Sequence, residues 1–227
     1  SFFNIAHRGA SGKYPENTVL AFKKALEMGV KNLECDVRLS RDNRVVVIHD
    51  STVDRTTDKE GKVREMSLSQ LKQLDAGSWF DDKFAGERIP ELEEVLELVG
   101  PEIKLVIEIK GSKENSQLIE KVIETVKEKG IISNIRISSF ELEDLEKVFL
   151  LNNNIVTSFL FKKIEAGFFL KKIERAGVNI VGPHYQEINQ DFVEKMKDRG
   201  YLVRAWGLVD KDREAMARLI DSGVDGM

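Results

Sequence analysis

The sequence predicts an α/β protein of the (β/α)8 TIM-barrel class. Short apolar, β-branched segments alternate with segments of 3.6-residue periodicity, and such alternation means parallel strands joined by helices. Eight strand candidates stand outside one short hairpin, and eight units fit a barrel of 227 residues. A doubly wound open sheet is the runner-up. No Gly-x-Gly-x-x-Gly follows any strand, and Gly9-Ala10-Ser11-Gly12 imitates that fingerprint poorly.

Phe2-Phe3-Asn4-Ile5-Ala6 reads as a strand running into His7-Arg8-Gly9. Gly9, Gly12 and Pro15 make a loop. Glu16-Asn17-Thr18 then open a helix, with Val19, Phe22, Ala25, Leu26 and Val30 near helical spacing and Gly29 as its stop. Asn32 to Leu39 is the next strand. Leu33, Cys35, Val37 and Leu39 share one face, and Glu34 and Asp36 the other. Residues 40–44 are too short for a crossover helix. Val45 to Asp50 therefore returns as an antiparallel hairpin and brings His49 toward Glu34 and Asp36.

Residues 51–90 break the rhythm with a polar run, a turn at Lys59-Glu60-Gly61-Lys62, and one capped helix from Ser67 to Leu74 anchored by Trp79 and Phe80. They read as a small insertion, leaving 1–50 and 91–227 as the barrel domain. The cadence then resumes. Helices are expected over 91–99, 115–129, 141–151, 164–175, 190–199 and 211–222. Strands are expected over 103–109, 134–139, 155–161, 178–182 and 201–206, with another beginning at Val224. A barrel ending at Met227 would leave an open edge, so a further tail is expected.

A 41% hydrophobic content supports a sizeable core without disulfides. The single cysteine, Cys35, is read as packing on the face away from the carboxylates. Lys+Arg 35 against Asp+Glu 39 gives a net charge of −4, which argues against nucleic acid as a partner. No polybasic run or long apolar stretch suggests a membrane anchor. The cytoplasm is the expected compartment, with export the alternative if a leader preceded Ser1. A charged fraction of 33%, rich in Lys and Glu, fits a thermostable protein.

Two carboxylates on the inner face of one strand repel each other and are costly to desolvate. A divalent cation makes sense of Glu34 and Asp36. In a barrel, functional groups collect at the carboxyl ends of strands. His7 and Arg8 end the first strand, His49 and Asp50 the hairpin, Glu108 and Lys110 the segment Leu105 to Lys110, and Trp206 a later strand. Glu34, Asp36 and Glu108 offer only hard oxygen ligands, which favours Mg²⁺ or Ca²⁺ over Zn²⁺. Arg8 and Lys110 beside that cation suit a phosphate ester. His7 and His49 can supply a general base and a general acid. P–O cleavage of a phosphodiester is the reaction these groups imply. His184, after Gly182-Pro183, is expected to be structural. Arg204 is open between a buried ion-pair partner and a substrate contact.

The same residues resemble the glycerophosphodiester phosphodiesterase family. The matching stretches are His7-Arg8-Gly9, Pro15 to Thr18, Glu34 to Val37, Val45 to Asp50, Asp54-Arg55-Thr56-Thr57, Leu71 to Phe80, Ile89 to Leu92, Ile107 to Lys110, Ser138-Ser139-Phe140 and Gly223 to Gly226. They run the length of the chain in the family's order. The resemblance implies a TIM barrel with a small insertion after the histidine hairpin. It also implies hydrolysis of glycerophosphodiesters, such as glycerophosphocholine and glycerophosphoethanolamine, to sn-glycerol 3-phosphate and an alcohol. In the family's mechanism the glycerol 2-hydroxyl attacks phosphorus and a cyclic phosphate is then hydrolysed.

By family pattern Glu34, Asp36 and Glu108 hold the metal, His7 and His49 are the acid/base pair, and Arg8 and Lys110 meet the phosphate. Glu16 is a ligand or glycerol contact, and Trp206 stacks on substrate. The chain departs from the pattern at Gly207, where the family carries a threonine after the tryptophan. A lysophospholipase D-type lipid phosphodiesterase is the alternative activity, a non-enzymatic phosphate-ester binder a third reading, and a monomer or homodimer the expected assembly.

Overall fold

The computed structural model describes residues 2–164, 170–208 and 212–227. The chain divides into two compact units, residues 6–135 and residues 1–5 with 136–227.

In the unit 6–135, β1 (Ile5–His7) lies beside β2 (Asn32–Leu39). The helix between them, α1 (Val19–Glu27), starts where the Thr18 side chain accepts a hydrogen bond from the Ala21 amide. It buries Ala21, Phe22 and Ala25 completely or nearly so. On β2 the period-2 pattern holds: Leu33, Cys35 and Val37 are fully buried on the face away from the carboxylates. The hairpin strand β3 (Val45–Val47) pairs antiparallel with Val37 to Leu39. β4 (Lys104–Ile109) runs parallel to β2 from Asn32 to Val37.

Residues 51–90, expected as an insertion, share a core with the hairpin. Val53, Val63, Leu71, Leu74, Ala76 and Ile89 pack with Val46 and Ile48, and the Val47 amide bonds the Pro90 carbonyl at 2.8 Å. The short helix α2 (Leu68–Leu71) opens with a capping box between Ser67 and Gln70. Asp75 organises the turn that follows. Its carboxylate accepts from the amides of Gly77 and Ser78, the Ser78 hydroxyl and the Gly86 amide, at 2.8–3.0 Å. Helices α3 (Leu92–Leu96) and α4 (Leu118–Lys129) complete the unit, α4 burying Leu118, Ile119, Val122, Ile123 and Val126.

In the other unit β5 (Ile135–Ser139), β6 (Val156–Phe161), β7 (Ile180–Pro183) and β8 (Leu202–Val203) are successive parallel neighbours. The intervening helices are α5 (Leu142–Leu151), α6 (Leu170–Arg175) and α7 (Gln190–Lys197), and α8 (Arg213–Asp221) follows β8. The strand expected from Val224 is seen as parallel bridges from Gly226 to Arg204 and to Phe3. The strand expected over 201–206 is regular only at Leu202–Val203, with Arg204 and Trp206 held by single bridges. Several helix boundaries fall one to three residues inside those expected, as at both ends of α3, the start of α4 and the end of α7. The expected helices 164–175 and 211–222 run partly outside the described residues, at 165–169 and at 211.

Candidate active site

The site is built from the carboxyl ends of the strands of unit 6–135. Parallel register sets Asp36 opposite Glu108, with Glu34 two residues before Asp36 on the same face. All three are buried, and one carboxylate oxygen from each lies within 4.8 Å of the others. Glu34 Oε1 accepts no hydrogen bond, and Asp36 Oδ1 meets only the Lys110 ammonium, at 3.5 Å. Burial, then the charges of Asp36 and Glu108, pushes the Glu34 carboxyl well above its usual range. A buried, oxygen-only cluster with partly unused acceptors is what a hard divalent cation requires, so these three residues fit such an ion. Cys35 points the other way, and burial pushes its thiol up, leaving it inert.

The loop after β1 wraps the cluster from one side. Gly9 (φ +79) lies against helix α1, where a Cβ would come within 2.6 Å of the Ala21 carbonyl carbon. Arg8 (φ 57) and Asn17 (φ 58) are left-handed non-glycine residues, a cost that clusters at functional sites. In return, the Arg8 amide donates to Glu34 Oε2 at 2.9 Å, and its guanidinium reaches Asp36 Oδ2 (3.1 Å) and Glu16 Oε1 (2.8 Å). Asn17 Nδ2 donates to Asp36 Oδ2 at 2.9 Å. Lys110 pairs with both Glu108 and Asp36, the latter at 3.5 Å.

One imidazole touches the cluster, and a second lies within electrostatic reach of the first. His7 Nε2 stands 3.9 Å from Glu34 Oε2. Local desolvation and then the Arg8 charge lower its pKa to about 4. Its side chain is 63% exposed, so water offsets part of that depression, which favours a neutral ring. His49 follows β3, held by the Ile48 amide on the Asp36 carbonyl (2.9 Å) and by Arg38 Nε on the His49 carbonyl (2.9 Å).

His49 Nδ1 lies 2.6 Å from Asp50 Oδ1. Burial opposes the charge on Asp50, but hydrogen bonds from Arg55 and His49 hold its pKa down at about 2. The carboxylate therefore accepts, the proton sits on Nδ1, and Nε2 is the nitrogen left to react. Arg55 Nε donates to Asp50 Oδ2 (2.6 Å), and its two terminal nitrogens donate to Glu16 (2.8 and 2.9 Å). Burial works against the Glu16 charge, yet Arg55 and Arg8 hold its carboxyl below the usual range.

Of the residues singled out in the sequence, His7, Arg8, Glu16, Glu34, Asp36, His49, Glu108 and Lys110 come together here. Trp206 belongs to the other unit. Its indole donates to the Phe161 carbonyl (3.1 Å), and its ring packs edge-on against Phe140 and His184. Gly207 (φ +86) lies so close to the His184 ring that a Cβ would be 2.5 Å from Nε2, so this backbone favours glycine where the resemblance implies threonine. Asn17, Arg38 and Arg55 are not marked as site residues by the sequence, and Asp50 is marked there only as a strand-end charge. Three of them lie inside stretches that resemble the family, and Arg38 shares the β2 face of Glu34 and Asp36; those were the available signals.

Parallel α/β architecture, a carboxylate triad and two imidazoles define a metal-site protein suited to phosphate-ester chemistry. The chain belongs to the glycerophosphoryl diester phosphodiesterase family, whose model matches residues 7–227. It is 42% identical over 227 residues to a glycerophosphodiester phosphodiesterase of Caldanaerobacter subterraneus subsp. tengcongensis, covering 98% of this chain and 91% of that one. A glycerophosphodiester phosphodiesterase of Bacillus subtilis is 32% identical, covering 98% of this chain and 81% of that one. Among solved structures, an Oleispira antarctica phosphodiesterase in complex with the product sn-glycerol-3-phosphate superposes with a TM-score of 0.91 at 31% identity, over 99% of this chain and 91% of that one. The fold class is the (β/α)8 barrel expected from the sequence. No helix among the described residues is long and apolar enough to cross a membrane.

Proposed function

We propose that this protein hydrolyses glycerophosphodiesters to sn-glycerol 3-phosphate and an alcohol. The observation that carries the reading is the convergence of Glu34, Asp36 and Glu108 beside His7 and His49 in a chain of this family. Glu34, Asp36 and Glu108 would hold one divalent cation, Mg²⁺ or Ca²⁺ by their oxygen-only chemistry. When bound, the cation neutralises charge on the phosphoryl oxygens.

The remaining work falls to the chain's own groups. Arg8 and Lys110 attract and orient the phosphate. Neutral His7 takes the proton of the attacking hydroxyl. As an imidazolium stabilised by Asp50 at Nδ1, His49 delivers its Nε2 proton to the departing alcohol oxygen and is left as the Nδ1–H tautomer. Release of glycerol 3-phosphate from glycerophosphocholine, lost in chelator and restored by Mg²⁺ or Ca²⁺, tests the reading. Turnover indifferent to chelator would remove the triad from it.

A second reading, a lysophospholipase D-type activity, draws on an aromatic row formed by Tyr14 of the loop after β1 and three residues of the 51–90 segment. Tyr14, Phe84, Phe80 and Trp79 stand ring to ring at 5.6–5.8 Å, with Trp79 37% exposed. Such a row suits an acyl chain. Faster turnover of lysophosphatidylcholine than of glycerophosphocholine would favour it.

A further inference from the structure

We propose that Arg55 is a positioning residue that ties the orientation of His49 to that of Arg8; this rests on the glycerophosphodiester reading above. An exposed ion pair is ordinarily worth little. Arg55, at 45% side-chain exposure, differs in what it joins. One edge of its guanidinium, Nε, donates to Asp50 Oδ2 at 2.6 Å, while Asp50 Oδ1 holds His49 Nδ1 at 2.6 Å. Its terminal nitrogens bind both oxygens of Glu16, at 2.9 and 2.8 Å, and Glu16 Oε1 also accepts from Arg8 Nη1 at 2.8 Å.

Arg8 in turn stands 3.1 Å from Asp36. The chain of contacts is therefore continuous from the His49 imidazole to the acidic cluster, through His49, Asp50, Arg55, Glu16, Arg8 and Asp36. Both oxygens of Glu16 are engaged by guanidinium groups, which casts Glu16 as the link between Arg55 and Arg8. A planar guanidinium with donors on two edges can span two carboxylates; an ammonium cannot hold both in fixed planes. Outer groups that orient reacting ones typically matter by about 10–100-fold, as they do around metal ligands. Arg55 comes from the 51–90 segment, so that segment supplies a strut for the site that grows from the strands.

The test uses the full chain with Mg²⁺ and glycerophosphocholine. Arg55→Ala should lower kcat by about 10–100-fold. The double variant Arg55→Ala/Asp50→Asn should fall no further than the worse single one, within roughly threefold. Nitrogen NMR of histidine-labelled protein gives a readout independent of turnover. The His49 ring, assigned by its loss in His49→Asn, should be an Nδ1–H tautomer in the wild type and a mixture in Arg55→Ala. Arg55→Lys serves if the alanine variant melts early, and it should recover less than about a third of the wild-type rate because it satisfies one carboxylate only.

Independent, multiplying effects of the two substitutions, an unchanged His49 signal, or full recovery by lysine would each overturn the proposal. A wild-type protein inert toward glycerophosphocholine would instead overturn the functional reading, and the His49 signal would still decide the role of Arg55.

Discussion

Asp36 and Glu108 face each other across the register of two parallel strands, β2 and β4. The side-chain period of a strand adds Glu34 to the same face. Three buried carboxylates thus meet because of backbone pairing alone, before any loop is placed.

The strain of that cluster is testable through Glu34. Its carboxyl is raised by burial and by its two acidic neighbours, so above the unfolded carboxylate pKa its ionisation costs stability. Glu34→Gln keeps an acceptor for the Arg8 amide. In chelator at pH 7 it should melt higher, by roughly 2–4 °C, the shift about 1 kcal/mol produces in a chain of this size. Added Mg²⁺ or Ca²⁺ should raise the melting temperature of the wild type and not of the variant. Equal stabilisation of both by scanning calorimetry would remove Glu34 from the metal site.

Replacing either imidazole should stop the chemistry. His7→Ala and His49→Ala should each lower kcat on the order of 10²–10⁴-fold. A loss below tenfold in steady-state assays excludes that residue from proton transfer.

Asp50 links catalysis to acid stability. Its folded pKa of about 2 lies below the ordinary aspartate value. Its contribution is therefore complete above the unfolded pKa and is lost as pH falls from there toward 2. Thermal melts between pH 5 and 2 should fall less steeply for Asp50→Asn than for the wild type. At pH 7 the variant should be about 10–100-fold slower, because the His49 tautomer is no longer fixed. Parallel melting curves would show that the Asp50–Arg55 contacts carry no weight.

Gly9→Ala tests the loop. A methyl group there meets the Ala21 backbone at 2.6 Å, and the φ of +79 disfavours any side chain. The change should cost about 1–3 kcal/mol and displace Arg8 from Glu34 and Asp36. Activity should fall more than the melting temperature predicts; undiminished kcat would mean that the loop adjusts without consequence.

The triad and the imidazoles were legible because strand periodicity and strand-end position are local properties. The hairpin was legible because five residues cannot hold a crossover helix, and Ile48, the residue before His49, bonds the Asp36 carbonyl as that turn requires. What was not legible depends on side chains far apart in sequence. Arg55 reaches Glu16 across 39 positions, and no spacing rule marks it. Asn17 reads as a helix-opening residue, yet its amide binds Asp36. Asp50 reads as a strand-end charge, yet it fixes a tautomer.

By itself, then, the sequence determined the alternation of strands and helices, the inward carboxylate face and the residue types of the site, because these follow from periodicity and from what each side chain can donate or accept. Only the tertiary structure decided which guanidinium meets which carboxylate. That choice depends on ångström distances between loops, and a one-dimensional pattern carries no such distances.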